Sequence, residues 1–134
     1  MNNLNEHWIL EDKKPKAVDL MTWAEWFEKS VRTPGKNPGW SRIVQQTMVW
    51  DTMVSTVFLG LNHQFGDGPP LLFETMIFGP ADQEREHQWR YSTWEQAEEG
   101  HKKAMALVQA YYDQPGFAIR GFINKCKALW KAYF

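Results

Sequence analysis

The chain has 134 residues, of which 43% are hydrophobic and 15% aromatic, with eight Trp and eight Phe. That length and composition suit one packed domain over residues 1–134 and exclude a disordered chain. A net charge of −1 excludes a general electrostatic grip on nucleic acid, and a single cysteine, Cys126, excludes an intrachain disulfide. With no apolar run near the ~20 residues of a membrane span and no apolar leader, the composition predicts a soluble cytoplasmic protein.

In chain order, His7 to Leu10 (HWIL) predicts a short edge strand, followed by the polar stretch EDKKPK. VDLMTWAEWFEKSVR predicts a helix with Leu20, Trp23, Ala24, Phe27 and Val31 on one face, capped by Asp19 or by Thr22 with Glu25. Two Pro and two Gly make residues 33–39 a loop. Residues 41–49 and 52–59 are β-rich around Trp50-Asp51, which predicts either a hairpin with Asp51 as a turn residue or one bulged strand. LLFETMIF (71–78) and HQWRYS (87–92) complete four strands, joined by short or polar links that make the pairing antiparallel.

A capping box, Ser92 with Glu95 or Thr93 with Gln96, opens a second helix whose apolar face runs through Trp94, Ala97, His101, Ala104, Met105, Val108 and Tyr112. Gln114-Pro115-Gly116 ends it, and 117–134 has a third helical pattern through Ile119, Ile123, Cys126, Trp130 and Tyr133 or Phe134. The expected architecture is α+β: an antiparallel meander of about four strands, with a short N-terminal edge strand, packed by about three helices. Its core covers residues 7–112. The basic tail 113–134 either packs on that core or meets a membrane surface, a partner or a second copy of the chain.

Four groups of residues invite functional readings. The eleven-residue connection Gly60–Pro70, GLNHQFGDGPP, exceeds an ordinary hairpin loop and carries His63 as a candidate ligand or catalytic residue. It lacks the Gly-Lys-Ser/Thr of a phosphate loop and, with Asp67 its only acid, the ligands of a calcium loop. Glu74 stands in line with Leu72, Met76 and Phe78, so it is either a buried carboxylate with Ser55 as a cross-strand partner or an ordinary acid on a wet face.

His101 is either a core histidine satisfied by hydrogen bonds or a ligand that meets His63 and Glu74 in a His/His/carboxylate set. No HExxH, CxxC or HxH spacing supports such a metal site, and no cofactor is expected. Arg90, Tyr91 and Trp94 gather at the start of the second helix, where backbone N–H groups can receive a phosphate or carboxylate unless Ser92 or Thr93 already caps them. Nucleophilic catalysis has little support: Ser55 lacks a GxSxG elbow, and Cys126 has Lys125 and Lys127 beside it but no nearby histidine.

The blocks DLMTWAEWFE, VSTVFLGLNHQFGDGPPLLFETMIFG and RYSTWEQAEEGH, in that order, resemble a family of small uncharacterised bacteriophage and prophage proteins. The family pattern runs close to VSTVFLGLDHxFGxGPPLLFETMVFGG, so Asn62 stands where Asp is expected and Pro80 where Gly is expected. The resemblance covers roughly residues 7–107 and implies a phage setting without an activity. Together with the aromatic richness, the long Gly/Pro loop and the absence of a catalytic signature, that setting suggests a binding protein without catalysis, one that sequesters a small ligand such as a nucleotide signal or blocks a host protein. A small hydrolase built on His63, Glu74 and His101, and a structural phage component that oligomerises through 117–134, are the alternatives.

Overall fold

The computed structural model describes residues 5–32, 41–82, 87–116, 126, 127 and 129–132. The expected loop at 33–39 and most of the tail, including Ile119, Ile123, Tyr133 and Phe134, lie outside the described residues; residues 126, 127 and 129–132 are helical. Among the described residues, no helix is long and apolar enough to cross a membrane.

The fold is α+β. Strands β1 (Trp8–Glu11) and β2 (Lys14–Ala17) form a separate antiparallel hairpin. HWIL is therefore not an edge of the main sheet, and four of the six residues of EDKKPK, expected as a polar link, lie in strands. Its signal lies in the turn: Asp12 and Lys13 have φ of 48° and 66°, the left-handed pair whose twist matches a two-residue hairpin. Pro15 and Ala17 alternate with exposed lysines, too weak an apolar pattern to reveal a strand.

Helix α1 (Leu20–Arg32) starts at Asp19, whose carboxylate accepts from the Thr22 N–H and hydroxyl, both at 2.9 Å. Those two bonds favour the charged carboxylate and hold its pKa below the usual value. The buried face matches the expected one only in part: Trp23 and Phe27 pack against the core, but the fully buried residues are Trp26 and Ser30, while Leu20 and Val31 are 56% and 52% exposed. Trp23, Trp26 and Phe27 at i, i+3 and i+4 present more apolar surface than the Leu20–Ala24–Val31 stripe. The helix turns to seat Trp26 edge-on against Phe58, ring centroids 5.6 Å apart.

Strands β3 (Ile43–Val49), β4 (Thr52–Phe58), β5 (Phe73–Phe78) and β6 (Gln88–Tyr91) form the main sheet in the order β3-β4-β5-β6, antiparallel throughout. Trp50-Asp51 makes a hairpin turn, with Trp50 at φ 56°. The pleat sends Val54, Thr56 and Phe58 to one face, paired with Ile77, Thr75 and Phe73. Met53, Ser55 and Val57 go to the other face, paired with Phe78, Met76 and Glu74.

Helix α2 (Trp94–Tyr112) covers the first face, opened by Thr93: its hydroxyl accepts from the Gln96 N–H, and the Gln96 carboxamide oxygen accepts from the Thr93 N–H. One cluster of Ile9, Leu10, Trp26, Phe58, Leu72, Phe73 and Ala97 joins α1, the β1–β2 hairpin and the start of α2. A second, with Val54, Ile77, Ala104, Val108 and Tyr112, fills the far half of the same face. At the end of α2 the Tyr112 hydroxyl donates to Asp51 and meets Thr52 Oγ1 at 2.7 Å, tying the helix to the β3–β4 turn.

Candidate functional site

The long connection 60–70 is a strap built by backbone bonds. Gly60 C=O accepts from Trp8 N–H at 2.9 Å, His7 bridges to Leu61, and Asn62 N–H donates to Glu6 C=O at 3.0 Å. Asn62 Oδ1 accepts from the N–H groups of Gln64 and Leu71, at 2.9 and 3.1 Å, and so closes the loop on itself. Both bonds need only an acceptor oxygen, which Asp and Asn share, so either residue at 62 would close the loop. His63 is held by its own N–H to Leu71 C=O at 3.0 Å and is half-buried. Phe65, at the tip, is 91% exposed.

Gly60, at φ 77°, is where this strap meets α1: a Cβ there would stand 2.9 Å from Trp23 Nε1 and 3.7 Å from Phe27 Cδ2.

Glu74 is buried, yet its partner is not Ser55. In the register Glu74 faces Val57 on one side and Arg90 on the other, whereas Ser55 faces Met76. Glu74 Oε2 accepts from Arg90 Nε at 3.1 Å and from Gln88 Nε2 at 2.6 Å, and Ser55 Oγ accepts from Gln46 Nε2 at 2.9 Å. The carboxylate and the guanidinium therefore neutralise each other on the sheet face away from α2.

His101 is 1% exposed and lies on the opposite face. Its Nδ1 meets Thr56 Oγ1 at 2.7 Å and its Nε2 meets Thr47 Oγ1 at 3.0 Å; Thr56 Oγ1 also meets Thr75 Oγ1 at 2.7 Å, and Thr75 bonds the Tyr91 hydroxyl. In a neutral imidazole one ring nitrogen donates and the other accepts, so His101 meets both hydroxyls, Thr56 at Nδ1 and Thr47 at Nε2, in either tautomer. Burial lowers the His101 pKa and raises that of Tyr91.

The structure therefore does not bring His63, Glu74 and His101 together. Glu74 and His101 are separated by the sheet, and among the described residues no group of three His, Cys, Asp or Glu side chains is placed to hold a metal. The helix N-terminus beside Arg90, Tyr91 and Trp94 is filled: the Gln96 carboxamide oxygen accepts from the N–H groups of Ser92 and Thr93, at 3.0 and 3.2 Å. Trp94 packs edge-on against Phe73, with Lys13 Nζ 5.5 Å above its ring.

Arg90 and Tyr91 do meet a different feature. Between β6 and the outer flank of α2 runs a groove of about 980 Å3. Trp89, Tyr91 and Leu107 give it an apolar lining, and Gln96, Glu99 and Lys103 stand along it. Tyr91 forms part of its floor because Gly100 leaves room: a Cβ there would lie 2.0 Å from the Tyr91 hydroxyl oxygen.

The sequence reading missed this wall. Its one visible signal was Leu107, off the apolar stripe of α2 and 51% exposed. Among the described residues Glu99 and Lys103 have no ion-pair partner, not even each other.

No family model, curated protein or solved structure matches the chain.

Proposed function

We propose that this chain is a binding protein without catalysis, one that a phage uses against its host, and that its ligand seat is the groove between β6 and α2. The observation that carries the reading is the groove itself: a concave, largely apolar surface with a few polar groups converging on it, the usual form of a binding site. Two of the three candidate catalytic side chains are committed elsewhere, His101 to threonine hydroxyls and Glu74 to Arg90 and Gln88.

By volume alone the groove suits a nucleotide. Its charges favour a different occupant, because Arg90 is already paired with Glu74 and the groove then offers a polyphosphate one cation, Lys103, beside one anion, Glu99. Blocking a host protein is therefore the reading we prefer over sequestering a nucleotide signal.

Native mass spectrometry of protein purified from bacterial cytosol tests this. The wild type retains a bound species that Leu107→Asp, a change on the exposed flank of α2, does not. Bare polypeptide from both, with no melting shift of the wild type on addition of nucleotides, would sink the proposal.

A further inference from the structure

We infer that the groove takes an extended peptide, added as a fifth strand to the outer edge of β6, and that α2 selects it by charge; the inference rests on the proposed groove-binding function. The sheet order ends at β6, and among the described residues no strand lies on its outer side. A strand paired on one side only presents unsatisfied N–H and C=O groups along the other, a template for strand addition. A helix lies alongside that edge, so an added strand would have a wall against which to lay alternate side chains.

The wall has a readable pattern. Glu99, Lys103 and Leu107 line the groove at intervals of four residues, which is about 6 Å of helix rise per step. Alternate residues of an extended chain repeat every ~6.8 Å. Three successive same-side side chains of a peptide therefore stand opposite these three helix positions in turn.

Tyr91 packs at Gly100, while Trp89 and Ala104 share the second core cluster, so β6 and α2 run in opposite senses. A peptide antiparallel to β6 runs along α2 in the helix direction, and charge complementarity then calls for a basic residue, an acidic one two positions later and an apolar one two positions after that. Neither Glu99 nor Lys103 has an ion-pair partner among the described residues, so both charges are available for such contacts.

The test uses two fluorescein-labelled, end-blocked nonapeptides with the cores Lys-Thr-Glu-Thr-Leu and Glu-Thr-Lys-Thr-Leu, read by anisotropy against the full chain. The first binds saturably and roughly fivefold more tightly than the second, the upper range for exposed ion pairs. In the double variant Glu99→Lys, Lys103→Glu, whose sites are both solvent-exposed, the preference inverts. Backbone amide resonances of Gln88 to Tyr91 shift on addition of the tighter peptide.

Equal affinity of the two peptides on both proteins, or saturable binding that leaves the β6 amides unmoved, overturns the inference. So does an absence of saturable binding. If Leu107→Asp still strips a co-purifying species while neither peptide binds, strand addition fails and the groove-binding function stands.

Discussion

The two faces of the four-stranded sheet handle polar groups in opposite ways. On the face under α2, Thr56, Thr75 and His101 are each no more than 1% exposed, and their polar atoms are linked in one hydrogen-bonded chain. On the other face, which also carries Met48, Met53, Met76 and Phe78, Glu74 and Arg90 form an ion pair. The contrast teaches that the helix-covered face holds its threonine and histidine groups by bonding them to one another, whereas the other face carries a charged pair. The Trp26 and Trp94 Nε1 atoms packed on Phe58 and Phe73 have no partner among the described residues.

The sharpest way to break this contrast is Phe58→Ala. Phe58 is fully buried between Trp26 and Phe73, so its truncation should cost about 3–5 kcal/mol in urea unfolding. Next is Gly100→Ala, where the new methyl meets the Tyr91 ring and breaks its bond to Thr75. A helix interior normally gains from Gly→Ala, so a loss of roughly 1–3 kcal/mol would identify overpacking, and a gain would refute the tight Tyr91 contact.

Glu74→Ala should lose about 1–2 kcal/mol, because Arg90 and Gln88 lose a charged acceptor at a partly wet site. Glu74→Gln, which keeps an acceptor oxygen, should lose less. The pH dependence distinguishes the faces differently.

The folded-state pKa of His101 lies below its ordinary value. The unfolded chain therefore binds the extra proton first. This contribution to stability is fully present above about pH 6.5, and it falls as pH drops below that value, by at most ~1.4 kcal/mol per pH unit. Unfolding free energies from pH 8 to pH 5 should show the slope, and His101→Gln should flatten it. The smallest effect is on the open face: Met48→Ser, at a side chain 61% exposed, should change stability by no more than ~0.5 kcal/mol.

Much of the sheet was legible because periodicity and turns report local structure. The β3–β6 meander, the Thr93–Gln96 capping box and the buried stripe of α2 all follow from spacing within short windows. The β1–β2 hairpin escaped because its signal is the backbone conformation of Asp12 and Lys13, which charged residues seldom advertise. In α1 the apolar period is compatible with two faces, and only contact with Phe58 selects the Trp26 face.

The candidate site was less legible for a related reason. Glu74 and His101 were each recognised as polar residues in apolar surroundings, yet which face each one takes depends on strand register and helix docking. The sequence by itself determined the α+β class, four antiparallel strands and a polar residue at each of those positions, because pleat and helix periods act over a few residues. Only the tertiary structure decided that Glu74 meets Arg90, that His101 ends among threonines, and that Glu99, Lys103 and Leu107 line a groove beside β6. Those outcomes depend on contacts between segments distant in the chain, which no local pattern encodes.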